Sequence, residues 1–331
     1  MNRDFPKYND MSALPCLALS SWVFAAISIL VWGVTFASTR TLLVDFSALE
    51  ILIIRFALAW TTLAVIGALT RKVKAVSFSW RNEIVFAAMG LSGVAVYQFL
   101  ENCAIYYTNA SNVAILVSFG PIVTAILTRI ITKDRSLSFP LVIGSLIAVV
   151  GVALIALNGV VVFCLRPIGD IMAVAAMVSW GFYSVLMDKM NRRGISQLVV
   201  VRKSFFWALV MMLPFALWGV TDSGFYAIDG SFSVTLDADI NAERFSRPMN
   251  WLNLGFLGVL ASAACFVMWN SACKSLGVVR TTIGLYLTPI VGIVFAVIML
   301  GEHLTMMSIA GCLVILLGVA IANRNYLRRV I

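Results

Sequence analysis

The sequence predicts an all-α integral membrane protein of ten transmembrane helices, arranged as two inverted five-helix repeats. Three observations carry that prediction. The 331-residue chain is 61% hydrophobic and 12% charged, with a mean hydropathy of +0.98; a soluble domain is typically about 45–50% apolar and about 25% charged. Ten apolar runs approach or exceed the roughly 20 residues a helix needs to cross a bilayer. Matching stretches also recur in the second half of the chain at an offset of 168 residues.

The first run, about 20–40, follows a tail at 1–19 and reads "SSWVFAAISILVWGVTFAS". It is too long for the apolar core of a signal peptide, about 7–15 residues, and is read as the first transmembrane helix. The next runs fall at 47–69, 82–106, 110–131 and 138–157, with only "YYTNASN" between the third and fourth. Residues 20–157 thus form the first unit. The second unit, 168–324, holds runs at 168–188, 196–219, 251–274, 281–300 and 306–324, and a tail follows at 325–331. Each run is helical because backbone groups in lipid must be satisfied within their own segment.

Lys and Arg set the orientation. With the N-terminus in the cytoplasm, seventeen fall on inside segments, among them Arg71, Lys72, Lys74, Lys189, Arg192 and Arg193. Only Arg40, Arg166, Arg244 and Arg247 fall outside. The positive-inside rule then places both termini in the cytoplasm. The same distribution reads the +9 net charge as topology charge rather than a nucleic-acid face. The outside segment 221–250 is acidic, with Asp222, Asp229, Asp237, Asp239 and Glu243, and reads as a solvated spacer or as a lid over the outer mouth.

The repeat is visible residue by residue. Gly90 matches Gly258, Asn102 matches Asn270, Ala104 matches Ala272 and Ile115 matches Ile283. The triplet "PIV" recurs at Pro121 and Pro289. After a one-residue gap Gly144 matches Gly311 and Gly151 matches Gly318, while Trp32-Gly33 pairs with Trp180-Gly181. Five helices per unit is odd, so the second unit enters the membrane from the opposite side, a common ground plan of transporters. Pro121 and Pro289 each remove a mid-helix donor and crowd the carbonyl four residues earlier, at Val117 and Leu285. They predict paired kinks, either static packing features or flexible points beside a central cavity.

Aromatic and amide residues recur near mid-helix: Trp32, Tyr97, Gln98, Asn102, Trp180, Tyr183, Trp269, Asn270 and Tyr286. A small-molecule site needs mostly apolar walls and a few placed polar groups, so these are the candidate substrate-binding residues; interhelical packing is the competing reading. Charges inside spans cost about 2.5–3.5 kcal/mol each at mid-helix and mark functional candidates. Here they are Glu50, Arg55, Glu101, Arg202 and Lys203, with Arg55 and Arg202 near repeat equivalents. Arg55 and Glu101 are expected to touch and, with Pro121 and Pro289, to serve coupling or gating. Glu83 and Asp188, near helix ends, are expected to meet headgroups or water.

Other chemistry is not indicated. None of the six cysteines forms C-x-x-C, and His303 is the single histidine, so neither a disulfide framework nor a metal site is expected. No phosphate loop, zinc-protease or nucleophile-elbow motif occurs, so no catalytic residues and no cofactor are assigned.

Several stretches together resemble the drug/metabolite transporter superfamily, EamA-type. They are "ILVWGVTFASTR", "EILIIRFALAW", "IYYTNASNVAILVSFGPIVTAIL", "GSLIAVVGVALIAL", "FVMWNSACKSLGVVRTTIGLYLTPIVGIVFAVIMLGEHLT" and "GCLVILLGVAIA". "TKDRS" departs from the family's usual turn, which "LGEHLT" keeps, and the segment after the seventh helix is longer than usual. The resemblance implies a ten-helix exporter of small metabolites in a bacterial inner membrane. The expected function is secondary-active export of small amphipathic compounds, amino-acid-like or aromatic, by alternating access. The alternatives are a membrane-embedded transferase or lipid-processing enzyme, and a passive facilitator. Expected partners are a small-molecule substrate, membrane lipids and protons, with no nucleic acid and no obligate protein partner.

Overall fold

The computed structural model describes residues 15–42, 44–70, 79–107, 110–133, 137–157, 167–221, 243–300 and 305–324. Residues 1–14 and 325–331 of the tails, the acidic stretch 222–242, and parts of "TKDRS" and "LGEHLT" lie outside the described residues; the expected N-terminal tail, 1–19, is helical from Pro15 on. The helices, labelled here in chain order, are α1 (Pro15–Leu42), α2 (Ala48–Thr70), α3 (80–107), α4 (110–132), α5 (Phe139–Leu157), α6 (Pro167–Asn191), α7 (Gln197–Thr221), α8 (Pro248–Leu276), α9 (278–300) and α10 (Met306–Ala322). A single turn of helix, Glu243–Ser246, precedes α8. Eight of the helices are long and apolar enough to cross a membrane; apolar segments at Leu19–Thr35 and Met306–Ala322 are shorter.

Glycines set how the helices cross. A Cβ on Gly144 would lie 2.3 Å from the Ala322 amide and 2.5 Å from the Gly318 carbonyl; one on Gly151 would lie 2.7 Å from the Gly311 carbonyl. Only hydrogen fits at those points, so α5 and α10 meet backbone to backbone, as small residues permit between membrane helices. The register falls along α10 as it rises along α5, so the two run antiparallel. Since α10 is the repeat copy of α5, the units are inverted. The pair Gly144–Gly318 maps onto Gly311–Gly151, which makes this contact self-complementary about a pseudo-two-fold axis.

The same axis relates other crossings. A Cβ on Gly33 of α1 would meet Val291 of α9 at 2.6 Å; its mate Gly181 of α6 faces Val123 of α4 at 3.4 Å. Gly90 of α3 abuts the Ser204 carbonyl of α7, and Gly258 of α8 abuts the Arg55 carbonyl of α2. At these matched crossings the carbonyl that meets the glycine belongs to Ser204 in one case and to Arg55 in the other. Arg202 extends toward Gly67, whose added Cβ would lie 2.9 Å from its guanidinium.

Both α3 and α8 contain a widened, π-helical stretch, Leu91–Val96 and Phe256–Ala264. The two overlap under the 168-residue offset. A widened turn releases carbonyls from their usual amide four residues on, and both stretches spend one on a neighbouring helix. Ser92 accepts from Ser179 Oγ at 2.7 Å and Ala261 accepts from Trp32 Nε1 at 2.9 Å.

The prolines behave differently from a mid-helix kink. The first segment of α4 ends at Val117, Ser118 and Phe119 form a turn, and a new segment starts at Gly120 with Pro121 in its first turn. Likewise Gly284–Leu287 is a 3-10 turn, and Pro289 is the second residue of the segment Thr288–Leu300. A first-turn position needs no intrahelical amide, so proline is tolerated there. In both helices the regular α-helical pattern is interrupted just before the proline, by the turn Ser118–Phe119 in α4 and by the tightened 3-10 turn in α9.

Candidate functional site

Between α1, α3, α6 and α8 the side chains form an aromatic box. The ring of Trp32 lies 5.1 Å from that of Trp269, 5.6 Å from Phe266 and 6.3 Å from Trp180. Trp180 in turn lies 5.1 Å from Tyr97 and 5.2 Å from Tyr183. Trp269, Tyr183 and Asn270 are fully buried, and the Tyr183 hydroxyl donates to Asn270 Oδ1 at 3.1 Å.

A polar patch adjoins the box through Tyr97. The Tyr97 hydroxyl donates to Glu101 Oε1 at 2.9 Å, one helical turn on. Arg55, from α2, is buried; its Nε donates to Ser262 Oγ at 2.6 Å and its Nη1 to Gln98 Oε1 at 3.2 Å. The expected direct contact between Arg55 and Glu101 is not made: no nitrogen–oxygen pair between them lies within 4.0 Å. The reason is geometric. Arg55 spends Nε on Ser262 and Nη1 on Gln98, and Tyr97 takes one carboxylate oxygen of Glu101.

The pseudo-two-fold fails at this centre. The 168-residue offset places Cys265 opposite Tyr97, Phe266 opposite Gln98 and Trp269 opposite Glu101. The first unit therefore supplies both charges, while rings come from both units. The two repeat-related tryptophans differ as well. Trp32 Nε1 donates to the Ala261 carbonyl, whereas the buried Trp180 Nε1 has no partner among the described residues. Trp269 Nε1 and Asn270 Nδ2 are likewise buried and without a partner there.

Two candidates lie apart from this centre. Tyr286 is buried in a separate cluster with Leu141, Ile283 and Ile315, beside Ser145. Asn102 sits half-buried one turn beyond Gln98 and makes no hydrogen bond among the described residues. Pro121 and Pro289 are outside it too, at the helix interruptions.

Sequence reasoning missed Ser262 and Phe266. The signal was present, since Ser262 replaces Val94 and Phe266 replaces Gln98 in the repeat. The other intramembrane charges are structural partners. Glu50 receives both Arg244 Nη1 (3.1 Å) and Nη2 (2.9 Å), and Asp45 receives Arg247 and Asn250, which ties the α1–α2 turn to the start of α8. Glu83 does not face headgroups or water: it is buried and receives Lys203 Nζ at 2.7 Å and Trp207 Nε1 at 2.8 Å. Asp188 is buried and paired with Arg192 at 2.9 Å.

A multi-pass helical bundle with an inverted internal repeat and a polar-aromatic centre defines a membrane protein of the transporter type. The model of the EamA-like transporter family matches residues 19–157 and matches again over 167–324; the chain belongs to that family. This places it among transporters rather than enzymes, and the two matches coincide with the two units. An uncharacterized transporter of Archaeoglobus fulgidus is 24% identical over 93% of this chain and 100% of its own length. A probable terminal-alkyne amino-acid exporter of Streptantibioticus cattleyicolor is 25% identical over 95% of this chain and 97% of its own. One solved crystal structure aligns with a TM-score of 0.71 at 18% identity, covering 94% of this chain and 98% of its own, a likeness of fold.

Proposed function

We propose that the protein is a secondary-active exporter of small amphipathic metabolites that works by alternating access. In this reading all ten helices span the inner membrane and both termini lie in the cytoplasm, as the basic-residue excess directs. The observation that carries the proposal is the pair Arg55 and Glu101, opposite charges buried in one cluster and held apart by neutral partners. An isolated buried charge is costly, and a substrate bearing both charges completes both. A carboxylate would meet Arg55, an ammonium group would meet Glu101, and an apolar or aromatic body would rest in the box beneath the free Trp180 N–H. An amino-acid-like compound fits that description, and the name of the Streptantibioticus relative supports it.

Alternating access is supported by the inverted repeat, because exchanging the conformations of two related units opens the centre to either side. Paired metabolite profiling of medium from cells with and without the protein tests the proposal. The expected result is a small set of zwitterionic, apolar metabolites enriched outside producing cells. Identical medium, or enrichment only of anionic or strongly polar compounds, refutes it.

A further inference from the structure

A second site lies away from the centre. A cleft of about 290 Å³ opens between the last turns of α4 and α6, lined by Ile131, Thr132, Val185, Leu186, Lys189 and Arg192, with Asp188 at its edge. We infer that this cleft holds the phosphate of an anionic phospholipid, with one acyl chain along its apolar wall.

Position, chemistry and the repeat argue for it. Thr132 is the last residue of α4, and Lys189 lies in the last turn of α6, so the cleft sits where helices leave the hydrocarbon and headgroups begin. Ile131, half-exposed, carries the apolar outer surface into it, and Leu186 and the buried Val185 form its apolar wall. Lys189 is exposed and has no ion-pair partner among the described residues. Arg192 uses only Nε on Asp188, which leaves the two terminal nitrogens of its fork for a phosphate. Asp188 neutralises one of the two cations, so the cleft as a whole carries one positive charge, matched to one phosphodiester. The pseudo-two-fold counterpart on the other membrane face lacks the pair: the 148-residue offset that relates Trp32 to Trp180 places Thr41 opposite Lys189 and Val44 opposite Arg192. The cations are thus a departure from the repeat, located where a cavity receives them.

The test uses the full chain in detergent, with lipids added back and retained adducts counted by native mass spectrometry. The probes are dioleoyl-phosphatidylglycerol, dioleoyl-phosphatidylcholine and inorganic phosphate. The wild-type protein should retain phosphatidylglycerol about tenfold better than phosphatidylcholine, in line with the attraction of anionic lipid for paired basic residues. Lys189→Gln with Arg192→Gln should bring the two lipids level, while Arg81→Gln, an exposed charge outside the cleft, should change nothing. Ile131→Trp keeps both cations and fills the apolar wall, so it should weaken retention even if the double variant fails to fold. Equal retention of the two lipids, an effect of Arg81→Gln as large as that of the double variant, or full displacement by millimolar inorganic phosphate would each overturn the assignment.

Discussion

Arg55 is anchored on two sides, by Ser262 of α8 and Gln98 of α3, so it links three helices as well as offering a charge. Replacing it with glutamine keeps polar groups for both anchors and removes only the cation. Hydrogen bonds to charged groups contribute about 1.5–3 kcal/mol, so Arg55→Gln should lower export at least tenfold with a modest loss of folded yield. Glu101→Gln should do the same, and the double variant should be no worse than either single one, because both charges serve one bound substrate. Export rates of the four proteins check this; multiplied losses would separate the two residues. Trp180 gives a second handle. Trp180→Phe keeps a ring against Tyr97 and Tyr183 and deletes the unpartnered N–H. It should raise the apparent KM severalfold at normal yield; an unchanged KM would return Trp180 to packing alone. The candidate box residues were legible in the sequence because polar and aromatic groups are scarce in apolar runs. Their pairing was not: Arg55 and Glu101 sit on consecutive helices, and only the structure puts Gln98 and Ser262 against the guanidinium.

At the scale of elements, helix bounds were read from the sequence to within a few residues, because a bilayer-length apolar run leaves little freedom in where a helix ends. What happens inside a helix was less legible. Nothing in the apolar pattern marks the widened turns at Leu91–Val96 and Phe256–Ala264, and the proline signal alone does not tell a bend from an interruption. The glycines state the packing more directly. Gly144→Val should clash with the backbone of α10 at Gly318 and Ala322, and overpacking of this kind costs about 1–3 kcal/mol or more. Thermal unfolding in detergent should show Tm falling by several degrees. Gly255→Ala is the control, because an added Cβ there meets nothing within 4 Å and alanine favours the helix. Equal melting of both variants would mean that the α5–α10 contact does not hold the bundle.

The whole molecule is two copies of one unit, inverted, with a symmetric frame and an asymmetric centre. Backbone-to-backbone glycine contacts at α5–α10 obey the two-fold; the charges at the centre break it. The frame was legible because matched glycines and prolines recur at fixed offsets; the mismatches Val94–Ser262 and Gln98–Phe266 were in the same alignment, but their meaning came from the contacts Ser262 and Phe266 make. Orientation is tested by labelling single cysteines in a background without the native six. Val44→Cys, in the α1–α2 turn and 80% exposed, should react with an impermeant maleimide in spheroplasts. Ser196→Cys, exposed in the α6–α7 turn, should react only after the membrane is opened. Labelling of both from one side contradicts the proposed topology.

Uptake into inside-out vesicles, with the metabolite that profiling finds enriched in the medium, decides whether export is coupled. The expected result is saturable accumulation above the external concentration, lost when an ionophore collapses the ion gradient and lost in Arg55→Gln. Uptake that only equilibrates and ignores the gradient would contradict it and leave a passive facilitator.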